Sequence, residues 1–348
     1  MNPNDLRGGK RLDLSRQAIV TFRRRTQGLD ERLPPGPDGL RRAAWAGLQD
    51  SVPRSALHSL HARVQGIGPD AWEDAALVQV WGLRFAAYVV PADDHALFTV
   101  ARLPESGQLR RRSQDIADRL HELLEDRRLD AREAASGLGI HPNELRYGAM
   151  TGTILIRWDG ARQPLVWTVP PPDVDPDDAR LELARRYLHF LGPGTPTGFG
   201  SWAGIKPPRA AATFDALASS LLTVSTPHGD AFLLASDEPV IRADDDDAPA
   251  PARLLPSGDT FCLLHGVFRE LLVPDAEHRA ALWPSRVWPG AVLVGGDVVG
   301  TWRRSRSDLT VEPWRPLTPS EREAVESEAA SLPLPGVAEV PSVRWPAA

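Results

Sequence analysis

Arg157 and Arg162 flank an Asp159-Gly160 turn between two runs of β-favouring residues, and Arg146 lies in the segment just before them. Guanidinium groups at a hairpin tip can enter a nucleic-acid groove or grip phosphate oxygens. Arg23, Arg24 and Arg25 would share one solvated helical face, which is also suited to phosphate contact. His58 and His61 stand three residues apart, on one helix face with Arg54 nearby. Metal sites use that spacing, but no third ligand lies close, so a surface or DNA-groove role is the expectation, with no metal and no cofactor. With Cys262 the only cysteine, neither a thiolate zinc cluster nor an internal disulfide can form.

The elements that must carry the arginines can be read from residues 130–169. Asp130 can cap a helix over 131–137, with Glu133 as a capping-box partner, and the Gly137–Gly139 stretch ends it. A second helix starts after His141, because Pro142 fits an early helical position that needs no N–H donor. Beyond Gly152 the apolar period becomes two, and the Asp-Gly turn marks a hairpin. Helix, turn, helix and hairpin in that order predict a winged helix, a shape that fits a DNA groove. Trp158 and Trp167 read as cross-strand partners in its core.

A chain of 348 residues suggests two to four domains, and 42% hydrophobic residues can fill several small cores. No apolar run is long enough to span a bilayer, and the first residues lack the core of a signal peptide. A soluble, cytoplasmic protein is therefore expected, nucleoid-associated when bound to DNA. The net charge of −6 argues weakly against nucleic acid, but it is unevenly spread: residues 1–66 carry +6, leaving −12 for the remainder. Part of the negative charge lies in the run Asp244–Asp247, followed by APAPA, which reads as a solvated linker.

Helices are expected over residues 14–27, 38–49, 52–64 and 113–127, with Val89, Val90 and residues 97–100 supplying the sheet of a first winged helix. Helices over 177–191, 197–203 and 210–220 and an extended pair at 221–225 and 231–235 repeat the winged-helix order. Residues 254–272, 290–302 and 309–314 read as strands, closed by a helix over 319–332. The fold class is thus α+β, with tandem winged-helix units at 1–112, 113–172 and 173–240, a linker at 241–252 and a small β-rich domain at 253–348.

Several stretches together resemble the AlkZ-like winged-helix DNA glycosylases: GLQDSVPRSALHSLHARV (47–64), LRYGAMTGTILIRWDGARQPLVWTVP (145–170), LARRYLHFLGPGTPTGFGSWAGI (183–205), RLLPSGDTF (253–261) and PGAVLVGGDVVGTWRR (289–304). The resemblance implies tandem winged helices forming a concave surface for duplex DNA, and excision of alkylated bases, crosslinked ones included. It also implies a catalytic Gln-x-Gln or Gln-x-Asp signature. Gln49 matches the first position, while Ser51 stands at the second and Asp50 lies between them.

On that reading the Gln49 amide orients water, and Ser51 or Asp50 assists. A cationic alkylated purine is already a good leaving group, so strong acid catalysis is dispensable. Ser51 supplies no charge. Asp50 has the charge one position early, about 100° around on a helix or its first turn. The alternative for the same residues is helix punctuation, Asp50 or Ser51 capping the helix that begins near Val52. A winged-helix protein that binds DNA without chemistry, or one that binds protein, also fits the sequence. Asp259 reads as structural, holding a turn or pairing an arginine.

Overall fold

The protein is described by a computed structural model over residues 12–52, 54–160, 162–243, 250–337 and 339–346; the acidic run at 244–247 lies outside these residues. Its class is mixed α+β. Residues 108–168 follow the expected order: helix Gln108–Leu124, strand Leu129–Asp130, helix Ala131–Leu138, short helical turns over 142–151, then strands Ile154–Arg157 and Leu165–Thr168. The Asp130 carboxylate accepts the Arg132 N–H and so caps its helix, which closes on Gly139 at a left-handed φ of 67°. Ile116, Leu120 and Leu124 repeat at helical spacing and pack on Ala134, Leu145, Ile154 and Val166. Each large side chain buried there contributes roughly 1.5–3 kcal/mol. Trp158 and Trp167 are not partners: Trp167 pairs with Leu155, and Trp158 lies past the strand end.

Two further segments share this order. One runs through helices Pro37–Ala43 and Ser55–Arg63 to strands Leu77–Trp81 and Ala87–Pro91, with Leu48–Gln49 paired to the second strand. The other uses helices Pro176–Leu191, Pro196–Ala203 and Pro207–Ala216 and strands Leu221–Thr226 and Gly229–Leu234, where a Gly194–Phe232 bridge takes the place of the short strand. A pairing of Gln79 with Ile156 joins the first two hairpins into one six-stranded sheet. Residues 97–100, expected as strand, belong to the helix His95–Val100, whose Ala96, Phe98 and Val100 are buried. The helix expected to reach residue 49 stops at Ala43, so that Leu48–Gln49 is free to join the sheet.

Residues 253–346 form a five-stranded sheet in the order Arg253–Leu255, Gly290–Val294, Asp297–Ser305, Asp308–Pro313, Ser342–Arg344, with helix Pro319–Ala330 packed on it through Val325 and Ala329. Most of 260–272, expected as strand, is instead helical turns. Asp259 is paired as expected. Its two oxygens each accept a 2.7 Å hydrogen bond from Arg63, and both side chains are fully buried. Ser59 and the Phe261 N–H each donate a further bond to the carboxylate, and Arg63 Nη2 also donates to Gln27 Oε1 at 2.8 Å. This pair ties the loop before the helical turns to helix Ser55–Arg63. Among the described residues no helix is long and apolar enough to cross a membrane.

Candidate nucleic-acid interface and the Gln49 site

Gln49 ends the short edge strand, and the Asp50 N–H continues the ladder to the Ala87 carbonyl. The chain then turns through Arg54, whose φ of 68° is left-handed, into helix Ser55–Arg63. Asp50 points inward and caps that helix. Its Oδ1 accepts from the Ala56 N–H at 3.0 Å and from Ser55 Oγ, while its Oδ2 accepts from Gln79 Nε2 at 2.7 Å. Gln79 Oε1 in turn accepts the Trp158 N–H at 2.6 Å. Burial raises the Asp50 carboxyl to about 6, against the hydrogen bonds that hold the charge. Its oxygens are committed to the helix and, through Gln79, to the first hairpin. The geometry therefore favours the punctuation reading of Asp50 over a catalytic one.

Gln49 is held differently. Its Oε1 accepts from Arg84 Nη2 at 2.9 Å and from the Tyr88 hydroxyl at 3.3 Å. A guanidinium has no acceptor, so Arg84 fixes which end of the amide it meets. The amide nitrogen lies beside Gly258, where an added Cβ would sit 3.2 Å away. Gly258 is left-handed, φ 74°, and its missing side chain leaves room next to Gln49. With both carbonyl lone pairs engaged, Gln49 offers N–H donors. Arg84 also meets His265, Nη1 to Nε2 at 2.8 Å. Burial, with Arg84 and Arg269 nearby, lowers His265 to about 4, so the neutral ring accepts this bond.

Beside this centre a cleft of about 940 Å³ is walled by both hairpins. Ser51, Arg84, Arg132, Arg146 and Arg162 line it with Phe85 and Trp158, and Asp130 is the acidic residue among the lining groups. The structure thus gathers Ser51, Arg146 and Arg162 from three separated stretches of chain. Ser51 is exposed, with Gln49 half-buried behind Arg84.

Other expected contacts fall elsewhere. The guanidinium carbons of Arg54 and Arg157 each lie 3.7 Å from the centroid of Trp72, on opposite faces, since two such groups cannot share one face. Arg157 also pairs with Glu73 at 2.9 Å. Arg23 does not form a solvated face: it is wholly buried and donates to the Gly192 carbonyl. Arg24 is buried too, paired with Asp30 and packed on Gly296, where any side chain would collide with it. Nor is His58 at a groove; it is buried near Trp302, and burial lowers it to about 4. These three were misplaced because a polar helix looks solvated in sequence until another segment is known to cover it.

Arg84, Phe85, Gln79, Gly258 and His265 were missed. Residues 82–86, between two apolar runs, could have been read as a hairpin tip, and LLPSGDTF could have been read as a partner of the Gln49 segment. Thr260 Oγ1 donates to the Gly47 carbonyl at 2.8 Å, closing that contact.

Fold and site define a mixed α+β protein with an arginine-lined cleft beside a clamped glutamine. The chain belongs to the AlkZ-like DNA glycosylase family, whose model matches residues 42–333. A curated relative, the interstrand DNA cross-link repair glycosylase of Streptomyces sahachiroi, is 30% identical over 165 residues, 45% of this chain and 43% of that protein. The match thus spans less than half the length of that relative. The structure of Streptomyces sahachiroi DNA glycosylase AlkZ superposes with a TM-score of 0.79 over 96% of this chain and 100% of that one, at 19% identity. That likeness shows a shared fold.

Proposed function

We propose that the three helix-and-hairpin segments are winged helices, in units 1–112, 113–172 and 173–240, followed by a linker at 241–252 and a β-rich domain at 253–348. On this reading the cleft binds duplex DNA, and an alkylated base is removed by hydrolysis of its N-glycosidic bond. The observation that carries the reading is the clamped Gln49 amide beside an arginine-lined cleft. Arg146 and Arg162 take backbone phosphates. Gln49 and Ser51 hold the water by hydrogen bonds, and departure of a cationic base needs little acid catalysis.

A second reading is DNA binding without excision. Its support is that Asp50 is committed to a helix and Ser51 carries no charge, so neither residue after Gln49 offers a free carboxylate to stabilise an oxocarbenium-like sugar. Both readings require a steep loss of duplex affinity with salt. Removing Arg146 or Arg162 should lower that slope by about 1 each. Affinity independent of salt would reject both.

A further inference from the structure

The tip of the first hairpin is strained. Arg84 (φ 52°) and Phe85 (φ 61°) are consecutive non-glycine residues in the left-handed region. Such a conformation is strained and persists only where its surroundings enforce it. Those surroundings are visible. Arg102 donates to the Gly82 carbonyl at 2.7 Å and lays its guanidinium 4.0 Å from the Phe85 centroid. Tyr147 meets the same ring edge to face, centroids 5.2 Å apart, and Gly204 packs on the Arg84 backbone. The turn therefore aims Arg84 at Gln49 and leaves Phe85 half-exposed on the cleft wall beside the arginines.

Phosphates account for the arginines of such a cleft; the Phe85 ring, backed by Arg102 over one face, stays half-exposed beside them. A ring of this kind suits the π-face of a base. We propose that Phe85 is a stacking surface for an unpaired nucleobase of bound DNA. This rests on DNA binding at the cleft and adds to it a residue that senses whether a base has left the duplex stack.

The test compares a duplex carrying a one-nucleotide bulge with the same duplex fully paired. The wild-type protein should prefer the bulged duplex by roughly tenfold, within the range of one base–aromatic stack. Phe85→Leu, which keeps an apolar side chain, should lose that preference and bind the bulged duplex no better than the paired one, and Phe85→Tyr should keep it. Retention of the preference in Phe85→Leu overturns the proposal, as does a wild-type protein that binds both duplexes equally. If Phe85→Leu does not fold, Phe85→Trp takes its place: its larger face should strengthen the preference, and an unchanged preference overturns the proposal. Absence of binding to either duplex removes the DNA-binding reading itself, a distinguishable result.

Discussion

Arg84 donates to the Gln49 side-chain carbonyl from a backbone conformation that arginine rarely adopts. The bond fixes the amide so that its nitrogen lies beside Gly258. Without it the amide can rotate, and displacement of about 1 Å in a catalytic group can cost 10²-fold. Arg84→Met should therefore lower single-turnover base excision at least tenfold. Duplex affinity should fall much less, because Arg132, Arg146 and Arg162 remain in the cleft. Equal losses in rate and affinity would assign Arg84 to phosphate binding.

Arg63 and Asp259 join helix Ser55–Arg63 to the loop that flanks Gln49, with no solvent on either side chain. Removing one partner leaves a buried charge uncompensated, which typically costs about 3–5 kcal/mol. Asp259→Ala should shift the urea midpoint sharply downward. A midpoint within error of the wild type would mean that water reaches Arg63.

Acid should destabilise the fold. Burial lowers His58, His61 and His265 to about 4, 3 and 4, below the ordinary histidine value of about 6.5. The unfolded chain takes up these protons as pH falls from about 6.5, while the folded protein resists them, so their contribution is complete above that pH and is lost toward pH 4. Asp50 acts oppositely. Its carboxyl is raised to about 6, so protonation relieves a burial penalty over the same window. Three histidines outweigh one aspartate, and stability measured in urea should fall from pH 7 to pH 4.5. His58→Gln should flatten that fall; an equal slope would show that His58 takes no part.

Much of the architecture was legible in sequence because its cues are local. Asp130, Gly139 and the Asp159-Gly160 turn each act on neighbouring residues, and the structure places helix, cap and hairpin where they indicate. What failed depends on packing between distant segments. Residues 97–100 are as apolar as a strand, yet they fold as a helix. Arg23 and His58 look solvated until Gly192 and Trp302 are known to cover them. The site was legible to the same extent. Of the candidate residues, Gln49 and Ser51 follow from the resemblance, Arg162 from the hairpin tip and Arg146 from the helix before it, but Arg84 and Gly258 gain meaning only when sheet and loop meet.

On the proposed function, the clamped Gln49 amide serves base excision in bound DNA. Duplex DNA containing N7- or N3-alkylpurines, incubated with the protein and then cleaved at abasic sites, measures it directly. The expected result is abasic-site formation by the wild-type protein and its loss in Gln49→Ala, with folding and duplex affinity retained. Wild-type protein that binds the alkylated duplex with salt-sensitive affinity yet forms no abasic sites would contradict base excision and leave a DNA-binding protein without the chemistry.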